Sequence, residues 1–239
     1  DRKGRANGDN GGQARKGAAA RRSHQNSRIF LQRMTTVFTQ LNLHPQLVQA
    51  VEALGFTTPT PIQTALIPVM LAGHDVIGQA QTGTGKTAAF ALPILHALES
   101  GQGTVQSLVL VPTRELAIQV AKAMHELGGQ RYVRVLPVYG GEPYGRQISR
   151  LQKGVDVVVG TPGRLLDLIQ KEAIDLSQVR TVVLDEADEM LSMGFIEDIE
   201  AILAATPAAR QTALLSATVS DEIRRLADRY MRAPEQVSV

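Results

Sequence analysis

Asp75-Val76-Ile77-Gly78-Gln79 runs straight into Ala80-Gln81-Thr82-Gly83-Thr84-Gly85-Lys86-Thr87. The first five residues have strand character, and beyond Thr87 the apolar spacing turns helical through about Leu98. A glycine-rich loop between a strand and a helix lets successive backbone N–H groups turn inward around phosphate oxygens. The positive end of the new helix stands behind them. In such a loop Gln81, Thr82, Gly83, Thr84 and Gly85 form the cradle. Lys86 reaches the β- and γ-phosphates, and the Thr87 hydroxyl ligates Mg²⁺. Ala80 replaces the usual first glycine, while Gly85-Lys86-Thr87 is intact.

Outward from this loop, strand-length apolar runs recur at Asp75–Gln79, Ser107–Val111, Arg134–Tyr139, Val155–Val159, Thr181–Leu184 and Thr212–Ser216. Glu115–Ala121 and Phe195–Leu203 between them carry helical spacing. Unbroken runs such as Val157-Val158-Val159 and Val182-Val183-Leu184 imply strands buried on both faces. The expected fold is α/β, a mostly parallel central sheet with helices on both faces, spanning 38–239 without an internal repeat. In such sheets ligands bind beyond the carboxyl ends of the strands.

The chain has 239 residues, 44% apolar, which suits one domain with an ample core. It has no cysteine, which excludes disulfides, a thiol nucleophile and cysteine-ligated zinc. His24, His44, His74, His96 and His125 show no metal-binding spacing. No apolar run approaches the roughly 18–20 residues of a membrane span, and no signal-peptide pattern opens the chain. The expectation is a cytoplasmic protein without a membrane partner. The basic pI is misleading. Residues 1–37 hold nine Lys/Arg against two Asp, leaving 16 basic and 21 acidic residues in the remainder. That basic stretch, rich in Gly, Ala, Arg and Asn, is expected to be disordered, as a solvated extension or a salt-sensitive RNA tether. Met34 is a candidate natural start.

A second site follows the Thr181–Leu184 strand, at Asp185-Glu186-Ala187-Asp188. Asp185 there can hold Mg²⁺, commonly through water, and Glu186 can orient or deprotonate an attacking water. The plainer reading is an acidic loop opening a helix.

With both sites in place the chain resembles the DEAD-box RNA helicases. Gly83-Thr84-Gly85-Lys86-Thr87, Asp185-Glu186-Ala187-Asp188 and Ser216-Ala217-Thr218 are similar to that family's motifs I, II and III. Gly55-Phe56-Thr57-Thr58-Pro59-Thr60-Pro61-Ile62-Gln63 resembles its Q motif, with Phe38 seventeen residues upstream as aromatic partner. Pro112-Thr113-Arg114-Glu115-Leu116-Ala117, Gly140-Gly141 and Thr161-Pro162-Gly163-Arg164 resemble motif Ia, the GG element and motif Ib. The resemblance covers roughly 38–239 and implies a RecA-like P-loop domain that binds ATP and Mg²⁺.

The resemblance also implies roles. Gln63 reads the adenine edge, a carboxamide being able to pair with N6 and N7, and Phe38 stacks on the base, with Phe56 beside it. Thr60-Pro61-Ile62-Gln63 is equally a capping box. Pro112, Thr113, Arg114, Gly140, Gly141, Thr161, Pro162, Gly163 and Arg164 contact RNA backbone, although Thr113 and Thr161 are also ordinary helix caps. Ser216 and Thr218 hydrogen-bond Asp188 and link nucleotide state to RNA. The nine aromatic residues of the chain form no clustered stacking surface, so any RNA grip is expected to favour backbone over sequence. The family's arginine–glycine–aspartate and histidine–arginine elements are absent, so the expectation is a first motor domain that needs a second RecA-like domain for hydrolysis and unwinding. A nucleotide-dependent RNA clamp or remodelling ATPase is the alternative.

Overall fold

Valines pack against both sides of one sheet. In strand β4 (Val157–Gly160), Val157 and Val159 join one hydrophobic cluster and Val158 joins another. Strand β5 (Thr181–Leu184) divides likewise, Val183 to one side, Val182 and Leu184 to the other. Period-two side chains with no polar face demand a helical layer on each side.

The computed structural model describes residues 37–239. The stretch expected to be disordered lies, Val37 apart, outside the described residues. The other strands are β1 (Val76–Gln79), β2 (Ser107–Leu110), β3 (Val135–Val138), β6 (Gln211–Ser216) and β7 (Glu235–Ser238). Their order is β3-β4-β2-β5-β6-β1-β7, and every neighbouring pair is parallel.

One face is covered by helices α1 (Pro45–Ala53), α2 (Pro61–Leu71), α3 (Lys86–Ala97) and α4 (Arg114–Gly128). Leu47, Ile62, Phe90 and Met124 from these four helices are buried against the sheet. The other face carries α6 (Pro162–Gln170), α7 (Ala187–Ser192), α8 (Ile196–Ala204) and α9 (Asp221–Tyr230), through Leu165, Met190, Ile202 and Leu226. The short α5 (Tyr144–Gln152) lies at the β3 end and buries only Gln147 completely. No described helix is long and apolar enough to cross a membrane.

Beyond shifts of one residue at several strand ends, the strands depart from expectation in two ways. Polar β7 was not foreseen: it lies at the sheet margin, pairs only with β1, and is largely exposed. A strand with one neighbour needs no apolar run. The expected strand at Val155 begins two residues later, because Asp156 turns its carboxylate onto Arg134. That carboxylate accepts from the Arg134 backbone N–H at 2.9 Å and from Nη2 at 3.0 Å. The ion pair closes the amino ends of β3 and β4.

Gly160 ends β4 where nothing larger fits. A Cβ there would lie 2.1 Å from Leu165 Cδ1 and 3.1 Å from the Val138 carbonyl. Overpacking of this kind costs roughly 1–3 kcal/mol. Gly160→Ala is therefore expected to lower the urea midpoint of the domain by a corresponding amount; an unchanged midpoint would show that Leu165 moves aside freely.

Candidate active site

The sheet's carboxyl edge brings the candidate residues together. Gln79 and Ser216 are register partners at the ends of β1 and β6, and the β1–β6 ladder continues through Ala80 N–H to the Ser216 carbonyl at 3.1 Å. The glycine-rich loop then leaves β1. Thr84 Oγ1 donates to the Gln81 carbonyl at 2.8 Å, and Gly85 turns the chain at φ +91° into α3. Any Cβ at Gly85 would sit 2.6 Å from Gln63 Nε2 and 3.1 Å from Thr60 Oγ1. Glycine is demanded there by both conformation and close packing.

Lys86 is the first residue of α3, and its side chain is drawn into the rim. Only 6% of the residue is exposed, yet Nζ is buried without a hydrogen-bond partner among the described residues. A buried ammonium without partners is costly. Facing it at the end of β5, Asp185 is 3% exposed. Burial raises its carboxyl from the ordinary 3.8 to about 6, opposed by the nearby Lys86 charge and reinforced by Glu186. No salt bridge joins Lys86 and Asp185 among the described residues. Two opposite charges thus share one rim unpaired.

Glu186 follows in the left-handed region, φ +53°, and its N–H donates to Asp185 Oδ1 at 3.0 Å. A non-glycine residue held there stores about 1–2 kcal/mol of strain. Sequence spacing gave no sign of this left-handed turn. Asp188, on α7, accepts from Thr218 N–H at 3.0 Å and from Thr218 Oγ1 at 2.9 Å. Burial pushes the Asp188 carboxyl up, but the hydrogen bonds from Thr218 hold it below the usual range on balance. The Ser216 hydroxyl donates to the Thr218 carbonyl at 2.6 Å, so Thr218 is the main partner of Asp188.

Gln63 does act as a capping-box residue: its Oε1 accepts from Thr60 N–H at 2.9 Å while Thr60 Oγ1 faces Gln63 N–H at 3.5 Å. Nε2 donates to the Gly85 carbonyl at 3.1 Å, tying the box to the loop. Phe38 requires a correction. It is 2% exposed, packed in the core with Leu41 and Leu43, and offers no free ring face. The apolar spacing Phe38, Leu41, Leu43 was the available signal. Phe56 is 46% exposed and lines a cleft of about 350 Å³ with Gln63, Gly85, Thr87 and Leu127.

A second group occupies the same edge beyond β5. Leu110, Val138 and Gly160 are level in the ladder, so the segments after β2, β3 and β4 emerge together. Pro112 and Pro162 are buried, whereas Thr113, Gly140 and Gly141 are exposed and Gly163 is half-buried. Thr113 is a helix cap, accepting from Leu116 N–H at 3.2 Å. Thr161 makes no such side-chain bond at the start of α6. The Arg114 guanidinium stands 4.9 Å from the centre of the Tyr139 ring, and Arg164 Nη1 donates to the Glu142 carbonyl at 2.9 Å and Gln147 Oε1 at 3.2 Å.

The family profile described as DEAD/DEAH box helicase matches residues 60–226. The chain belongs to this family. The DEAD-box ATP-dependent RNA helicase CshA of Bacillus cereus strain ATCC 10987 is 54% identical over 204 residues, which cover 85% of this chain and 39% of that relative. CshA of Geobacillus kaustophilus is 55% identical over 204 residues, 85% of this chain and 44% of its own. A crystal structure of a DEAD box protein from the hyperthermophile Methanococcus jannaschii superposes with a TM-score of 0.82 at 41% identity, covering 84% of this chain and 55% of that one. This DEAD/DEAH box chain therefore spans about two fifths of the length of these curated relatives.

The buried Asp185 carboxyl makes the stability of this DEAD/DEAH box domain depend on pH. With a folded value near 6 against an ordinary 3.8, the unfolded chain gives up its proton first as pH rises. Stability falls between those values and stays reduced above the higher one, by on the order of 3 kcal/mol at ~1.36 kcal/mol per unit. Asp185→Asn removes the ionisation at nearly constant shape. It is expected to be roughly 1–3 kcal/mol more stable than wild type near neutral pH, with the gain shrinking towards about pH 4. Paired urea titrations at the two pH values check this; equal stability at neutral pH contradicts the burial argument.

Proposed function

We propose that this chain is the first motor domain of an ATP-dependent RNA helicase. It binds Mg–ATP along the β1–β6–β5 half of the carboxyl edge and RNA backbone along the β2–β4–β3 half. The observation that carries the reading is the buried Lys86 Nζ without a partner, beside a glycine-rich turn and opposite a carboxyl held unpaired in the same rim. A triphosphate supplies the anions that Lys86 lacks, and the free N–H groups at the start of α3 add to them.

Magnesium suits the same donors. No three His, Cys, Asp or Glu side chains cluster among the described residues. Thr87 and Asp185 would hold the ion with phosphate and water oxygens completing the shell, the mixed shell Mg²⁺ favours. Bound there, it neutralises charge on the phosphates. Glu186, held in its left-handed turn, orients or accepts a proton from the attacking water. The adenine lies in the Phe56 cleft, stacked on Phe56, with Gln63 at its edge, while Phe38 supports the site from within the core. Arg114, Thr161 and Arg164 grip phosphates with Gly140 and Gly141 between them, without reading base sequence. A second RecA-like domain of the same parent protein supplies the arginine finger, whose lack costs ~10³–10⁵ in rate. A cytoplasmic location accompanies this reading.

Two substitutions separate binding from packing. Lys86→Ala is expected to abolish binding of a fluorescent ATP analogue with magnesium, and retained affinity refutes the phosphate assignment. Phe56→Ala is expected to weaken the analogue several-fold, about 1 kcal/mol for a lost stacking contact, at little cost in stability. Phe38→Ala instead lowers stability by roughly 3–5 kcal/mol. The reverse pattern in nucleotide titrations and urea melts would return the stacking role to Phe38.

A further inference from the structure

Tyr144 opens α5 just after the Gly140-Gly141 turn. Two cations lie against its half-buried ring: the Arg164 guanidinium carbon is 4.1 Å from the ring centre and the Lys171 ammonium 3.7 Å. Its hydroxyl donates to the Asp167 carboxylate. Asp167 lies three residues after Arg164 and four before Lys171, both spacings at which opposite charges on a helix pair. Neither pair forms: among the described residues Arg164 and Lys171 enter no salt bridge.

Arg164 makes both of its hydrogen bonds through a single nitrogen, Nη1. Its Nε and Nη2 donate to no acceptor among the described residues. These two N–H groups form one edge of the planar fork that matches phosphate oxygens in bidentate fashion. A guanidinium stacked on an aromatic face keeps its edge donors available while its charge is stabilised. Were Asp167 unoccupied, the nearest use for it would be Arg164, and the fork would close on a carboxylate.

We propose that Tyr144 is a positioning residue for RNA. It engages Asp167 through its hydroxyl and supports Arg164 with its ring, leaving the Arg164 fork charged, unpaired and aimed for a backbone phosphate. This rests on the RNA-backbone reading of Arg164 given above.

The test uses the full-length protein with a saturating non-hydrolysable ATP analogue and a fluorescein-labelled oligouridylate, titrated at several salt concentrations. Tyr144→Phe keeps the ring and removes the hydroxyl. It is expected to raise the RNA Kd roughly 5-fold and to flatten the slope of log affinity against log salt by about 0.7, the value of one lost phosphate contact on a single strand. Adding Asp167→Asn should restore the affinity to within about twofold by removing the competing carboxylate, a rescue that a merely structural role does not give. Wild-type affinity in Tyr144→Phe, or a loss that Asp167→Asn leaves in place, overturns the inference. Arg164→Gln separates the two levels. If it weakens RNA while Tyr144→Phe does nothing, only the role of Tyr144 falls; if Arg164→Gln itself has no effect, the RNA reading of Arg164 falls with it.

Discussion

Two opposite charges, the Lys86 ammonium and the Asp185 carboxyl, are buried at one rim with no salt bridge between them. Asp185 follows β5 directly and Lys86 opens the helix after the loop that leaves β1; both strands pair with β6 between them, which spaces the two strands roughly 10 Å apart. Burying an ion costs several kcal/mol, and a direct ion pair would recover part of that. Among the described residues that pair is not made. The surrounding layers hold the rim in place: valines and leucines face both ways along β2, β4 and β5, so these strands cannot slide or tilt without opening one core or the other. On the proposed reading, a ligand that carries both anions and a cation answers both charges at once.

The same parallel order divides the edge into two neighbourhoods with β5 at the boundary. The loops after β1, β6 and β5 surround Lys86 and Asp185, and those after β2, β4 and β3 present Arg114, the paired glycines and Arg164. The bond between Asp188 and Thr218 ties α7 to the segment after β6, and the Gln63 bond to Gly85 ties the start of α2 to the glycine-rich turn. Each is a direct hydrogen bond between segments distant in the chain.

Much of this was legible before any coordinates. Runs such as Val157-Val158-Val159 can be buried only on two faces, so they announced interior strands of a parallel sheet, and the glycine-rich turn stood between a strand and a helix as its chemistry requires. What escaped was whatever depended on tertiary surroundings. Polar β7 is a strand because β1 had a vacant side, which no local pattern encodes. Phe38 has the right spacing for a ligand-stacking aromatic, yet the same ring, with Leu41 and Leu43 beside it, satisfies a core. Thr113 and Thr161 look alike in sequence, each before a helix, but only Thr113 spends its hydroxyl as a cap. The left-handed turn at Glu186 is invisible in a row of acidic residues.

Carboxyl titration of Asp185 by NMR, with and without a magnesium-bound non-hydrolysable ATP analogue, tests the central claim most directly. Without ligand the group should titrate near 6, as its burial dictates. With the ligand bound, the cation should hold it ionised to well below the ordinary carboxylate range. A carboxyl that titrates at the same pH in both states would mean that the rim does not receive the ion and its nucleotide, and would contradict the account.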